Sequence, residues 1–411
     1  MSLHSFMLGG LRLLIAALAA YLTASTGYLL ALALAYRVVR EPEKLIARKT
    51  HKFAVIVPAH DEELLISGIC ENLRALDYPQ DHYRVFVVAD NCTDSTAERC
   101  RAYPVNLLIR RDPSRTGKGH AVAWALQQIP LDSFDAVFLI DADTLVDKNV
   151  LTELGKLLDR GEQAIQCCNS VGNMEESWFT RMLFVSRTIN NLLYHHAKFK
   201  LGLSSHLMGT GMCFTTALLK KKGWTAFTIG EDWEYSTQLA EDGVRIAFAK
   251  DAVVRHQESR SLHQATSQRL RWSRGRFYVS AKFGTRLFRR GLWRRDPVLL
   301  DASLPLVFPN YSLLANLTCL TLILCLLLPP GAFKVPALVL TLGLIAGQAA
   351  LFITGMYLAG SWATTCKALL YAPLFLSWKF LIDFLSVTGL YNGKTWVRTK
   401  RYAVKDREGC N

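Results

Sequence analysis

The chain lacks most of what would mark a disulfide-stapled, repetitive or nucleic-acid-binding protein. Its ten cysteines form no C-x-x-C and no framework spacing, so they read as reduced thiols facing cytosol or lipid. Cys319 and Cys325 fall in an apolar segment, and Cys167-Cys168 reads as part of a small-residue strand. No internal repeat or low-complexity tract is present. The G-x-x-x-x-G-K-[ST] spacing of a P-loop is missing as well. Acid is in short supply, with 34 Asp and Glu against 48 Lys and Arg, a formal charge of +14. No aromatic-basic nucleic-acid motif accompanies that excess, which instead reads as the cytoplasmic face of a membrane protein meeting anionic lipid.

Charge is absent altogether from long blocks at both ends of the 411 residues. Leu13 to Ala35 is 23 residues without a charge, enough to cross a bilayer. A cleaved signal peptide is the competing reading, because Ala33-Leu-Ala35 resembles a cleavage site. The length of the run favours a retained helix, as do Arg37, Arg40, Lys44, Arg48, Lys49 and Lys52 after it. They fix that flank in the cytoplasm and the amino terminus outside. Leu304–Leu328 and Val335–Ala359, 25 residues each, predict two further spanning helices. Ala368–Tyr391 is apolar but contains Pro373, Lys379 and Asp383, the last two spaced to pair on one helix face. Three full crossings would place the basic tail outside, so this segment is expected to be re-entrant or interfacial. Arg271 to Arg295 mixes dense arginine with Phe277, Phe283, Leu287, Phe288 and Trp293. It reads as amphipathic helix on the inner membrane surface.

The centre of the chain alternates strand-like and helical runs. Phe53–Val57, Val85–Ala89, Val105–Ile109 and Val137–Ile140 are strand-like, with helical stretches such as Glu62–Leu76 and Gly119–Leu126 between them. This predicts an α/β fold with a parallel sheet. The expected organisation is a transmembrane helix over 1–36, a catalytic domain over 50–275 and interface helices over 276–297. A membrane region over 304–391 and a basic cytoplasmic tail over 392–411 follow.

Ala136-Val-Phe-Leu-Ile-Asp-Ala-Asp-Thr144 is the centre of that domain. It reads as a buried strand ending in Asp141 and Asp143. Ligands bind at the carboxyl ends of strands in open α/β sheets, and two hard oxygen donors there suit Mg²⁺ or Mn²⁺ on a diphosphate. A plain acidic loop fits the same pattern. Pro58-Ala-His-Asp-Glu62 and Asp90-Asn-Cys-Thr-Asp94 follow the first and second strands, where polar groups can grip a base and ribose; Asp94-Ser95 also fits a helix cap. Thr116-Gly-Lys-Gly119 precedes a helix and could bring Lys118 to a phosphate. Gly230-Glu-Asp-Trp-Glu234 puts acids at a helix start, favourable for the dipole and also suited to a general base. Gln268-Arg-Leu-Arg-Trp272 offers Arg271 to a diphosphate and Trp272 to a sugar ring. His195, His196 and His206 have no carboxylate partner in a metal-ligand spacing, and a surface or capping role is expected. Cys213 reads as a packed thiol.

Taken in order, Pro58 to Glu62, Asp90, Lys118, Asp141-x-Asp143, Glu231-Asp232 and Gln268-x-x-Arg271-Trp272 resemble the membrane-integrated family 2 glycosyltransferases. That group includes cellulose, hyaluronan, chitin-oligosaccharide and poly-N-acetylglucosamine synthases. The resemblance runs from about Phe53 through Trp272. It implies a GT-A (Rossmann-like) fold and inverting transfer from a nucleotide sugar, UDP-sugars first. Pro58, Glu62, Asp90, Lys118 and Asp141 would lie on the donor side, with Asp141 and Asp143 holding the metal. Asp232 would be the general base, beside Glu231, and Gln268, Arg271 and Trp272 would line the acceptor and diphosphate side. Trp396-Val-Arg-Thr-Lys-Arg401 is similar to the gating segment of some members. The chain departs from many members in having Ala89-Asp90 in place of paired aspartates, and Ala123 in place of an Asn. Met208 to Phe214 matches the group only in its glycines and small residues. The implied acceptor is a growing membrane-associated polysaccharide or, alternatively, a lipid or polyprenyl-diphosphate-linked acceptor taking one sugar. With few membrane helices, processive export would require helices bent around the glycan, a partner subunit or an oligomer. The implied location is the inner (plasma) membrane with the catalytic domain cytoplasmic.

Overall fold

The computed structural model describes residues 3–41, 47–360 and 362–389. Its centre is one eight-stranded sheet: β1 Phe53–Ala59, β2 Tyr83–Asp90, β3 Asn106–Arg110, β4 Ala136–Leu139, β5 Thr144–Val146, β6 Ala164–Val171, β7 Met212–Thr215 and β8 Ile246–His256. The order is β3-β2-β1-β4-β7-β6-β8-β5.

β1 to β4 pair in parallel, as the βα alternation predicts. The all-parallel expectation fails beyond β4. β7 inserts antiparallel to both β4 and β6, and β5 runs antiparallel to β8. The result is a mixed GT-A sheet, and β7, only four residues long, is too short to announce its direction in sequence.

Alternate residues of β1 feed opposite cores, which is why the run is apolar throughout instead of alternating. Phe53, Val55 and Val57 pack with Ile66, Ile69 and Leu73 on one face. Ala54 and Ile56 pack with Val122, Ala125 and Tyr235 on the other. With both faces covered by helices, polar groups can emerge only at strand ends. Asp90 closes β2, and Asp141 and Asp143 sit in the four-residue link between β4 and β5.

Helices Phe6–Val38 (33 residues) and Lys334–Leu358 (25 residues) are long and apolar enough to cross a membrane. Pro297–Val307 with Tyr311–Leu327, bent by 64°, and Trp362–Leu369 with Ala372–Thr388, bent by 65°, raise that number to four if each pair is one span. The straight helix expected over Leu304–Leu328 is therefore interrupted at 308–310, where Pro309 removes a backbone donor. Gln348 Nε2 joins three of these helices by donating to Thr26 Oγ1 (3.1 Å) and Thr318 Oγ1 (2.9 Å). Lys379 and Asp383 pair as their spacing predicts, 2.6 Å apart.

The 275/276 boundary expected from sequence falls inside one continuous helix, Leu262–Val279. Through a π-turn at Ser280–Gly284 this helix leads into Thr285–Arg294. Arg276 is not a surface charge. It turns inward and donates to the carbonyls of Pro305 (3.0 Å) and Phe308 (2.8 Å) at the interrupted helix. The similarity of Trp396–Arg401 to a gating segment concerns positions outside the described residues.

Candidate active site

A cavity of 1430 Å³ begins at the carboxyl ends of β1, β2 and β4 and continues between the apolar helices. Single small-molecule sites measure about 300–1,000 Å³, so this one has room for two reactants. Pro58, Glu62, Asp90, Lys118, Asp141 and Asp143 line its sheet end; Glu231, Asp232, Gln268, Arg271 and Trp272 line it further along. All the site residues expected from sequence thus border one space.

On the first side, β2 and β3 are in register so that Asp90 faces Arg110 directly. Arg110 Nη1 donates to Asp90 Oδ1 at 2.6 Å and is itself buried. Its other nitrogen reaches Asp112 (3.0 Å) and the Arg115 carbonyl (2.7 Å), fixing the loop that leads to Lys118. Among the described residues, Asp61, Cys92 and Asp94 are also close enough to share a cation. Their carboxylates already serve the loop, however. Asp61 Oδ1 accepts from the backbone of Thr93 and Asp94, and Asp94 accepts from Glu63 N and Thr96 N. Ser95 is the N-cap of the helix that begins at Thr96 and makes no side-chain cap bond; Asp94 instead accepts from the amide of Thr96, the helix's first residue.

Lys118, expected on a phosphate, bonds Asp141 Oδ1 and the Gly209 carbonyl (2.6 Å). Burial would lower its pKa, but Asp141, Glu231 and Asp232 outweigh this and hold it above the ordinary lysine value. The Asp141 amide donates to Thr210 Oγ1 (3.0 Å), and Gln166 Nε2 clamps the same loop through the Thr210 carbonyl (2.9 Å). Asp141 and Asp143 therefore sit together at the cavity wall as two hard oxygen donors, a set that fits Mg²⁺ or Mn²⁺.

Gly209, at φ +84°, brings the loop against the acids: a Cβ there would lie 3.6 Å from Asp232 Oδ2. Asp232 and Glu231 open the helix Glu231–Glu241, and Asp232 Oδ1 accepts from the Trp233 amide at 2.8 Å. Burial raises both carboxyls above the usual carboxylate range, and Asp232 raises Glu231 further. If Asp232 acts as base it must be ionised. The rate should therefore fall as pH drops through this raised value, already in weakly acidic solution instead of near the ordinary Asp value. A pH–rate profile at saturating donor checks this; an acid limb no higher than an ordinary Asp would remove Asp232 from the role.

The helix bearing Gln268, Arg271 and Trp272 crosses directly over the start of that acidic segment. Only two glycines permit the approach, because a Cβ on Gly275 would lie 3.0 Å from Gly230 N and 3.1 Å from its Cα. Gly275→Ala should force the two elements apart at a cost of about 1–3 kcal/mol. We expect at least a tenfold loss of transfer with nucleotide affinity retained; an active variant would show that the crossing is not critical.

Several contributors were not legible in the sequence: Arg110, Gln166, Thr210, and the histidines. Of the surface or capping role expected for His195, His196 and His206, the surface part fails for the first two, and His206 is half-buried. His195 and His196 are buried, and His206 stacks on Trp233, next to Asp232, with ring centroids 4.2 Å apart. Burial holds His195 and His206 well below the ordinary histidine range, so they are neutral packing partners. Cys213 is buried in β7, as expected.

Comparison with known proteins places this geometry. Residues 51–275 match the family model described as "Glycosyltransferase like family 2". The probable glycosyltransferase YdaM of Bacillus subtilis is 26% identical over 257 residues, 61% of this chain and 60% of that protein. A beta-monoglucosyldiacylglycerol synthase of Nostoc sp. is 27% identical over 229 residues, 54% of this chain and 48% of that one. The chain thus spans about half to three fifths of the length of these curated relatives. A mannosyltransferase of Pyrobaculum calidifontis, solved with GDP-Man and Mn²⁺, superimposes with a TM-score of 0.59 at 21% identity. The match covers 91% of this chain and 99% of that one. The family match covers more than half of the chain, so the protein is a member of glycosyltransferase family 2.

Proposed function

We propose that the protein transfers one sugar, with inversion, from a nucleotide-diphosphate sugar to a lipid acceptor held in the membrane. The observation that carries this reading is the continuity of the cavity. From Asp232 and Arg271 it runs on between helices lined by Tyr28, Phe308, Ile345, Phe352 and Leu376, an apolar arm suited to a lipid tail. The Nostoc relative, a beta-monoglucosyldiacylglycerol synthase, agrees with a lipid acceptor.

In this reading Asp90 and Glu62 face the nucleotide, and Asp141 and Asp143 would hold Mg²⁺ or Mn²⁺. Bound there, the ion would supply charge neutralisation for the diphosphate; the Mn²⁺ in the Pyrobaculum structure is consistent with this. Lys118 ties Asp141 to the Gly209 loop and so holds the donor side against the acids. Asp232 takes the proton from the acceptor hydroxyl. The freed oxygen attacks the anomeric carbon opposite the diphosphate, the carbon–oxygen bond to that group breaks, and the configuration inverts. Arg271 stabilises the departing charge, and Trp272 and Gln268 border the acceptor. The apolar helices keep the catalytic domain on the cytoplasmic face of the plasma membrane, where nucleotide sugars are made.

A growing polysaccharide is the acceptor that the family resemblance suggested first. One assay separates the two readings. The full chain in detergent with native lipids is given radiolabelled UDP-glucose, UDP-GlcNAc or GDP-mannose, and the product is extracted and sized. A single-sugar product in the organic phase is expected; a polymer in the aqueous phase would overturn the lipid reading.

A further inference from the structure

One carboxylate between β8 and the acceptor-side helix has no part in the chemistry above. Glu258 is 2% exposed. Asn173 grips its backbone from both sides: Glu258 N donates to Asn173 Oδ1 and Asn173 Nδ2 donates to the Glu258 carbonyl, each at 2.9 Å. Its Oε2 accepts from Arg269 Nη2 at 2.7 Å. Its Oε1 lies 2.9 Å from His256 Nε2 and 3.6 Å from Arg187 Nη2. His256 is held in turn by Asn169 Oδ1 on β6, 2.7 Å from Nδ1. Burial alone would raise the Glu258 carboxyl, but Arg269, His256 and Arg187 outweigh it and keep it ionised well below the usual range.

This network ends on the acceptor side. Arg269 and Trp272 are three apart on one helix and share a face. The guanidinium carbon of Arg269 lies 4.6 Å from the centre of the Trp272 ring. Trp272, Arg269, Arg187 and His256 all border the cavity, whereas Glu258 lies behind them. A free helix could roll, and an indole could flip between rotamers. A planar guanidinium fixed by a buried carboxylate restricts both, because it offers one flat surface in one orientation.

We propose that Glu258 is a positioning residue for acceptor binding: through Arg269 it sets the plane of the Trp272 ring against which the acceptor head group packs. It rests on the proposed function only in assigning that ring to the acceptor. A network that merely stabilised the fold would need no element reaching Trp272. Its loss would then weaken donor and acceptor handling alike.

The test uses the full chain in detergent and the variants Glu258→Gln, Arg269→Lys and Trp272→Phe. Glu258→Gln keeps size and an acceptor oxygen but removes the charge; Arg269→Lys keeps the charge but removes the planar surface. The first readout needs no substrate. The near-ultraviolet circular dichroism of wild type minus Trp272→Phe isolates this indole, and Glu258→Gln and Arg269→Lys should each lose more than half of that signal. The second readout is transfer to diacylglycerol or polyprenyl phosphate in mixed micelles, whichever accepts sugar. Acceptor KM should rise about tenfold in both variants, as expected for losing one cation–ring contact. UDP or GDP affinity should stay within threefold of wild type. In the Trp272→Phe background, Glu258→Gln should add less than twofold. An unchanged Trp272 signal, or losses that multiply in the double variant, would overturn the proposal. If neither lipid accepts sugar, the functional reading fails while the spectroscopic result still decides this one. If Glu258→Gln does not fold, Arg269→Lys decides it.

Discussion

Replacing Asp232 by Asn should lower sugar transfer by about 10²–10⁴-fold, the range for loss of a positioned general base, while nucleotide affinity changes little. The substitution is nearly isosteric, and an Asn side-chain oxygen can still accept from the Trp233 amide that Asp232 Oδ1 engages at 2.8 Å. What disappears is the ability to take a proton. The variant should also keep its stability. Because burial raises the carboxyl of Asp232, folding favours its protonated form; that favourable contribution is full below the unfolded pKa and lost as pH rises through the raised value. At neutral pH a neutral Asn avoids that loss, so the Tm should equal or exceed that of wild type. Activity and stability thus move apart, which separates lost chemistry from damaged structure. Glu231→Gln should cost less, since it is Asp232 whose Oδ2 lies against Gly209, in the loop to which Lys118 and Asp141 bond. Transfer by Asp232→Asn within threefold of wild type would remove it as the base.

Much of the sheet end of this site was legible in the sequence because parallel strands buried on both faces announce themselves as unbroken apolar runs. Their polar ends then mark the ligand edge. Pro58, Asp90, Asp141 and Asp143 were found that way. Arg110 was not, although it is the register partner of Asp90 across the β2–β3 pair. Aligning the two strands would have exposed it, since both end on a charged residue. The Gly230–Gly275 crossing was hidden for a different reason. Neither glycine has positive φ, and each matters only because the other's backbone lies against it, a tertiary fact with no local pattern. The histidines misled in the same manner. Without a metal-ligand spacing they suggested surface or capping roles, yet His195 and His196 are buried and the half-buried His206 stacks on Trp233. The span expected over Leu304–Leu328 rested on length and lack of charge alone, which do not register the break that Pro309 imposes inside it.

Asp143→Ala is the second large effect expected, and it asks whether the carboxylate pair is a metal holder or only a loop clamp. Asp141 is the poorer choice for this test. Its side chain anchors Lys118 and its amide anchors Thr210, so removing the carboxylate would release the Gly209 loop as well. Asp143 Oδ1 accepts from the hydroxyl of the adjacent Thr144 at 3.3 Å, a contact within its own turn. If the pair holds a divalent ion against the donor diphosphate, Asp143→Ala should weaken Mn²⁺-dependent UDP or GDP binding by about 10²-fold, since one of two charged ligands is lost. Nucleotide binding measured in chelator should be unchanged, because Asp90 and its Arg110 partner are untouched. Titration calorimetry with nucleotide, at a series of Mn²⁺ concentrations, reads both. Equal metal dependence in variant and wild type would leave the two aspartates as structural acids and Lys118–Asp141 as a plain clamp. The charge facing the diphosphate would then have to come from Arg271 and its neighbours alone. Chelator would then leave transfer by the wild-type enzyme unaffected, so the variant and the metal-free enzyme must agree for either account to stand.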